Sequence, residues 1–450
     1  MADRFDLIVI GTGSAGAGPA QACRRAGWRV AVVDDQPYGG TCANRGCDPK
    51  KVLVGAAEVV DWTRRMAGHG VTGSAAMDWP ALMAFKRGFT DPVPSNREER
   101  LRAAGITTLH GEAHFVAPDA LDVGGDRFHA DHLVIAAGSE PRALGIPGAH
   151  HVRTSTDFLD LDRLPGRIAF IGAGYISLEF AHIARRAGAE VTVVGRGRPL
   201  EQFDHEVVDR LAEHTRAIGI DLRTDTTVTR VDAVGGAYRV HLSNAERTES
   251  VDADLVVHGA GRVPATRRLG LEAADVGTTP AGGVQVTEFL LSPTNPRVYA
   301  AGDVAVRPGG APFTPVAGYE GRIVAENLLH GNRRRADYGP VPSVAFTIPP
   351  LAAVGLTEHA AERAGRKVRI ERHDTSAWYS NRRIAAEHAM TKVLIDAETE
   401  RIVGAHLLGH HAEEVINLFA MAMRYELPAQ AVREQIYAYP TSSSDVPYMV

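Results

Sequence analysis

Gly39-Gly40-Thr41-Cys42-Ala43-Asn44-Arg45-Gly46-Cys47-Asp48-Pro49-Lys50-Lys51 holds two of the chain's three cysteines, with four residues between them, behind a glycine pair. A helix should follow. Pro49 suits a first helical turn, where its missing N–H is no loss, and Lys51 to Met66 reads as amphipathic. Positions five apart in a regular helix lie on the order of 8 Å apart at Cα. A disulfide needs roughly 4.4–6.8 Å, so Cys42 and Cys47 can bridge only through a distorted turn, which Gly46 would permit. A strained pair at a helix N-terminus, near Lys50, should include at least one acidified thiol, as a redox dithiol requires. Two buried thiols or half of a zinc site are the other readings. Zinc would want two more ligands, yet only Cys23 remains as a thiol and no histidine is spaced for it. Redox use is the expectation.

Upstream, Asp6 to Ile10 is an apolar run suited to a buried strand. Gly11-Thr12-Gly13-Ser14-Ala15-Gly16 follows, then helical character from Ala17 to Ala26, then a strand from Arg29 to Val33 ending in Asp34. A G-x-G-x-x-G loop in that context binds a dinucleotide: backbone N–H groups meet the pyrophosphate, and the acid accepts from a ribose. Cys23, on this helix, reads as an ordinary buried thiol. The helical pattern of Lys51 to about Ala104 is interrupted at Trp79-Pro80 and Asp91-Pro92-Val93-Pro94. Leu133 to Gly138 is a strand ending in glycine. A second fingerprint runs from the strand Arg167 to Ile171 through Gly172-Ala173-Gly174-Tyr175-Ile176-Ser177 into a helix reaching Ala187, closed by the strand Glu190 to Val194. Ser177 serves as the third small residue. Two such units mean two dinucleotides or a duplicated fold. The second ends in Gly195-Arg196-Gly197-Arg198, two arginines and no acid, which favours a 2′-phosphate and hence NADPH rather than NADH. Val298 to Ala305 is a buried strand ending in Gly302-Asp303, and Arg333 to Pro340 marks a linker.

At 450 residues several domains are expected, and 44% hydrophobic with 23% charged residues is ordinary for a globular chain. A net charge of -5 gives no electrostatic case for nucleic acid. A strand begins almost at once, so no signal peptide is expected, and no apolar run approaches the roughly 18–20 residues of a membrane span. A cytoplasmic protein is expected.

Taken together, the chain resembles the FAD-dependent pyridine nucleotide-disulfide oxidoreductases, which include glutathione reductase, dihydrolipoamide dehydrogenase and mercuric reductase. Six elements stand in the family's order: Gly11-x-Gly13-x-x-Gly16, Cys42-x4-Cys47-x-Pro49-Lys50, Ala136-Ala137-Gly138, Gly172-x-Gly174-Tyr175, Gly261-Arg262-x-Pro264 and Gly302-Asp303. The resemblance implies an α/β fold with two Rossmann-like dinucleotide-binding domains and a C-terminal α+β dimerisation domain. Residues 1–148 and 271–338 would bind FAD, 149–270 would bind NAD(P)H, and 341–450 would form a homodimer that shares its active site. FAD would lie on Gly11, Gly13, Ser14 and Gly16, with Asp34 on its ribose and Asp303 on its ribityl chain. Thr41, Lys50, Ala137, Gly138, Thr314 and Ala317 would complete that site, Thr314 at the flavin ring. NADPH would lie on Gly172, Gly174, Ile176 and Gly261, with Arg196 and Arg198 on its phosphate and Tyr175 as an aromatic gate. Lys50 would pair with Glu179. Cys47 would be the thiolate against the flavin, and Cys42 the exchange thiol that attacks a small-molecule disulfide.

One part of the pattern breaks. Disulfide reductases end in His-Pro-Thr-x-x-Glu, whose histidine shuttles protons to the exchange thiol. Here the stretch is Tyr439-Pro440-Thr441-Ser442-Ser443-Ser444-Asp445. Forming tyrosinate at neutral pH costs about 5 kcal/mol more than forming neutral imidazole, from a difference of roughly 3.5 pKa units. Tyr439 is therefore a poor resting base, although it could donate a hydrogen bond or bind a metal-ligated substrate; Asp445 reads as a C-terminal surface acid, or alternatively as a group that orients Tyr439. Mercuric reductases carry a tyrosine here, but their C-terminal cysteine pair has no match in Pro447-Tyr448-Met449-Val450. Glutathione reductases contribute substrate-binding arginines; Arg322 matches one place, and Gln21 occupies another. The expected activity is thus reduction of a small disulfide, with a metal-ion or quinone acceptor as the alternative. No resident metal is expected, and His410 and His411 with Glu413 and Glu414 read as a polar helix start.

Overall fold

The computed structural model describes residues 3–450. The chain divides into two compact units: one takes the chain up to Lys50, Phe85–Arg142 and Arg262–Tyr338, the other Lys51–Ala84, Ala143–Gly261 and Gly339–Val450.

The first unit is built on the strand Asp3–Ile10, flanked in parallel by Val30–Asp34 on one side and Asp126–Ile135 on the other. Thr107–His110 extends the first side in parallel. Beyond Asp126–Ile135 the sheet forks. Val298–Ala300 pairs in parallel with its last residues, and the hairpin Ala113–Ala117/Ala120–Val123 pairs antiparallel with its first. The apolar runs read from the sequence are apolar because both sheet faces are covered: Leu7, Val9, Val32 and Val134 pack on one side, Ile8, Val33, Leu133 and Ile135 on the other. The helix Ser14–Arg25 starts three residues earlier than its periodicity suggests, and Asp34 is itself the last residue of its strand. Trp79-Pro80 and Pro92-Val93-Pro94 begin the helices Trp79–Thr90 and Val93–Ala103 rather than merely interrupting one. Proline in a first turn costs no hydrogen bond.

The second unit holds a four-stranded parallel sheet, ordered Ile220–Arg223, Glu190–Val194, Arg167–Ile171, Leu255–His258. It also holds a three-stranded antiparallel sheet over Thr227–Ala253, and a five-stranded antiparallel one from Ser343–Ala345 to Val368–Asp374. The helix Ala412–Arg424 buries Val415, Ile416 and Phe419 against that last sheet. Both fingerprints thus sit at the carboxyl ends of parallel strands, where a doubly wound sheet binds nucleotides. Among the described residues no helix is long and apolar enough to cross a membrane.

Candidate active site

The dithiol stretch forms two helices, not one. Gly40–Arg45 carries Cys42, the chain breaks at Gly46, and Cys47 opens the helix Cys47–Arg65. The expected distortion is here: Gly46 has φ −141° and ψ −116°, and a Cβ on it would lie 2.8 Å from the Thr41 carbonyl oxygen. Asn44 staples the turn, its Nδ2 donating to the carbonyls of Pro37, Tyr38 and Gly40 at 3.0–3.2 Å. Gly39 and Gly40 both have positive φ, and a Cβ on Gly40 would lie 2.5 Å from Cα of Gly13. The two-cysteine loop therefore rests directly on the first fingerprint, which only glycine allows.

Cys42 and Cys47 are thiols, not joined in a disulfide. Thr314 Oγ1 lies 3.7 Å from Cys47 Sγ and is also a hydrogen-bond partner of Cys42. The Cys42 thiol is pushed far up, first by its hydrogen bond to Cys47 and then by burial. It keeps its proton. Asp48 Oδ1 accepts a second contact from Cys42 Sγ at 3.8 Å. Cys23 is fully buried, and burial pushes its thiol up to about 12, so it is the inert thiol expected. Among the described residues no group of three or more His, Cys, Asp or Glu side chains is arranged to hold a metal ion.

The residues at the first fingerprint fit a dinucleotide. Gly13 precedes Ser14–Arg25 with no side chain capping the helix and no acid in its first turn, which leaves backbone N–H groups for a pyrophosphate. Gly11 has φ +101°, and a Cβ on Gly16 would lie 2.1 Å from the Gly11 oxygen. Asp34 organises the loop, accepting from Thr12 N at 2.8 Å, Thr12 Oγ1 at 2.6 Å and Gln36 N at 3.0 Å. Asp303 accepts from Ser139 Oγ at 2.8 Å. Ala137 and Gly138 follow the strand Asp126–Ile135, and Ala317 is buried in the helix Thr314–His330. Glu320 belongs to no sequence motif. It is fully buried, receives Gly302 N at 2.7 Å and Tyr338 Oη at 2.8 Å, and is ion-paired with Arg307. Its carboxylate fixes the turn that presents Asp303.

The second fingerprint repeats the geometry. Gly174 precedes Tyr175–Arg186 without a side-chain cap, and Gly172 has φ +99°. Ser177 is fully buried against Gly259, as a third small residue must be. Tyr175 stands 42% exposed at the helix start, and Ile176 is half-buried. Gly261 is exposed with φ +107°. The two arginines differ: Arg198 is ion-paired with Asp209, whereas Arg196 is exposed and outside any ion pair among the described residues. Lys50 is buried, and Glu179, 3% exposed, accepts from Phe346 N at 2.8 Å. Glu179 is not the surface acid that an ordinary helix position would suggest.

The C-terminal stretch corrects one expectation. Asp445 does not orient Tyr439; its Oδ2 accepts from Ser380 Oγ, and burial raises its carboxyl. Ser444 closes a capping box with Thr441. Tyr439 is 79% exposed. His411 precedes the helix Ala412–Arg424, whose first turn carries Glu413 and Glu414, as a polar helix start requires.

The family model described as pyridine nucleotide-disulphide oxidoreductase matches residues 5–321, and that of the family's dimerisation domain matches 341–450. A mercuric reductase of Staphylococcus aureus is 33% identical over 97% of this chain and 80% of its own. A glutathione reductase of Burkholderia cepacia is 32% identical over 98% of this chain and 97% of its own. A solved structure titled as a Cu(II) complex of the HOCl-induced flavoprotein disulfide reductase RclA from Escherichia coli superposes with a TM-score of 0.89 at 29% identity, covering 99% of both chains. The chain therefore belongs to the pyridine nucleotide-disulphide oxidoreductases, FAD-dependent enzymes that use a pyridine nucleotide and act on sulfur groups.

Proposed function

We propose that this is an NADPH-dependent reductase of small disulfides, working in the cytoplasm as a homodimer through residues 341–450. The observation that carries the reading is the Cys42–Cys47 pair, hydrogen-bonded to each other and to Thr314 across a glycine break. When bound, NADPH and FAD supply the electron pair that opens the Cys42–Cys47 disulfide. Cys42 then attacks one sulfur of the acceptor. A mixed disulfide forms, and the first thiolate leaves with the proton Cys42 gives up. Cys47 attacks Cys42, re-forms the enzyme disulfide and expels the second thiolate, which takes a proton from solvent. The dithiol loses two electrons and the acceptor gains two.

A metal-ion or quinone acceptor is the second reading. The exposed phenol of Tyr439, where a proton shuttle would stand, favours it. So do relatives whose names carry mercury and copper. The deciding experiment mixes the enzyme and NADPH with glutathione disulfide, other low-molecular-weight disulfides, Hg(II), Cu(II) and quinones. Turnover fastest with a disulfide upholds the first reading; turnover confined to metal ions or quinones replaces it. Long-wavelength absorbance from thiolate to flavin should appear on adding NADPH.

For the nucleotide, Arg196 is the arginine open to a 2′-phosphate, since Arg198 is engaged by Asp209. Arg196→Ala should raise KM for NADPH about tenfold or more and leave KM for NADH within about twofold, the loss expected of one charge-assisted phosphate contact. Equal changes for the two nucleotides would sink the assignment. Arg198→Ala should have the smaller effect.

A further inference from the structure

Asp48 is the one residue at the dithiol with no role so far. It lies in the first turn of Cys47–Arg65, is exposed, and touches the Cys42 sulfur through Oδ1 at 3.8 Å. An acid in a first helical turn interacts favourably with the helix dipole, and that alone would explain its presence. It would not explain where the charge points. Asp48 forms no ion pair among the described residues, and the nearby Lys51 is drawn off to Glu58 at 3.8 Å. The carboxylate thus contacts the sulfur we assign to exchange without an ion-pair partner among the described residues.

We propose that Asp48 selects the acceptor by charge, so that cationic and neutral disulfides are reduced in preference to anionic ones. This rests on the reading of Cys42 as the exchange thiol. Any acceptor must bring a sulfur to within bonding distance of Cys42 Sγ, and so brings its substituents close to Asp48. Unit charges about 6 Å apart in a water-like medium change a rate by about threefold, favourably or unfavourably according to sign. A dication and a dianion of the same shape should therefore differ by about tenfold from this residue alone. The exposed site leaves that difference open to salt screening. The Asp48 charge also helps keep Cys42 protonated until it attacks, since it opposes the thiolate.

The test uses three disulfides of similar size: cystamine (cationic), bis(2-hydroxyethyl) disulfide (neutral) and 3,3′-dithiodipropionate (anionic). The FAD-loaded enzyme and its Asp48→Asn variant are compared by kcat/KM. Their leaving thiols differ in pKa, so the informative quantity is the change between the two proteins. In Asp48→Asn the cation-to-anion ratio should fall about tenfold at low salt, less at 0.5 M salt, with the neutral disulfide within about twofold. Asp48→Lys should reverse the order. An unchanged ratio overturns the proposal, as does an equal loss on all three disulfides. A second measurement needs no acceptor. Cys42 of the reduced enzyme is alkylated with neutral iodoacetamide or anionic iodoacetate and mapped by mass. The iodoacetamide preference should shrink in Asp48→Asn; an unchanged preference again overturns the proposal. Alkylation of Cys47 ahead of Cys42 would overturn the exchange assignment itself and the proposal with it. Absence of disulfide turnover in the wild type, with the alkylation preference intact, would count against the acceptor class alone.

Discussion

Replacing Cys42 by serine is expected to lower NADPH-driven disulfide reduction by on the order of 10⁴-fold or more, while quinone reduction persists within about twofold. The asymmetry follows from the geometry. Cys42 is the thiol that keeps its proton, hydrogen-bonded to Cys47 and Thr314 and touching Asp48. A serine hydroxyl there can keep some of those contacts, so the site should stay folded, but it cannot form the mixed disulfide. Cys47→Ser should fail differently. Its Cys42 can still attack once and release one thiol, but nothing resolves the mixed disulfide, which should accumulate and be seen by mass as an adduct on Cys42. Loss of quinone reduction in Cys42→Ser would place the serine's damage upstream of the dithiol. Retained disulfide turnover would remove Cys42 from the pathway.

What could be read from the sequence follows a physical division. The two parallel sheets were legible because strands buried on both faces are continuous apolar runs, and because glycine is required where helix, strand and phosphate approach closely. Arg167–Ile171 and Glu190–Val194 fall where the apolar runs place them. The Gly46 break was legible from the reach of a disulfide. Partners distant in the chain were not. Glu320 on the Gly302 amide joins residues 18 apart, and Thr314 lies 267 residues from Cys47. The resemblance assigned Thr314 to the flavin ring and was silent on its contact with both thiols. Asp445 was misplaced for a related reason: proximity to Tyr439 in sequence says nothing about direction, and the 3-10 turn Ser442–Tyr448 carries the carboxylate to Ser380. The role of Asp48 is not legible in the sequence, because its contact with Cys42 depends on how the helices Gly40–Arg45 and Cys47–Arg65 meet at Gly46.

The helix that begins at Cys47 is anchored near its other end, and removing that anchor should be the most damaging single change to stability. Arg186, 3% exposed on Tyr175–Arg186, donates to Asp61 Oδ1 from Nη2 at 2.6 Å and Nε at 3.0 Å. Arg65 Nε donates to Oδ2 at 2.7 Å, and Arg186 Nη2 also reaches the Ile348 carbonyl at 2.9 Å. Burial alone would raise the Asp61 carboxyl, but Arg186 and Arg65 hold it below its ordinary value. Asp61→Ala leaves the guanidinium buried and uncompensated, which costs about 3–5 kcal/mol and should lower the thermal midpoint by about 3–5 °C. The double variant Asp61→Leu/Arg186→Met should recover most of that loss, because no unpaired charge remains in the core; Arg65, the other partner of Asp61, is partly exposed and keeps its bond to the Ile384 carbonyl. If the double variant is as unstable as the single one, packing rather than charge was lost.

The same cluster sets the acid limit. His182 is held well below its ordinary value by burial and then by Arg186; His214 is lowered to about 4 by burial, then Arg186 and His388. Both are neutral in the fold: His182 Nδ1 accepts from Ile348 N at 3.1 Å, and His214 Nε2 donates to the Ile348 oxygen at 2.9 Å. A group whose folded pKa is depressed gives stability that is complete above its unfolded value and is lost as pH falls toward the folded one. For His214 that window runs from about 6.5 down to about 4 and amounts to roughly 3 kcal/mol. The Asp61 contribution begins to fall only near the carboxylate value of about 4. Urea midpoints followed from pH 7.5 to about 2.5 should therefore drop first through the histidine window. His214→Gln, which keeps a donor for Ile348, should shrink that first drop, with His182 still contributing to it, and leave the second. A curve level down to about pH 4 would place these histidines in contact with solvent rather than in the core.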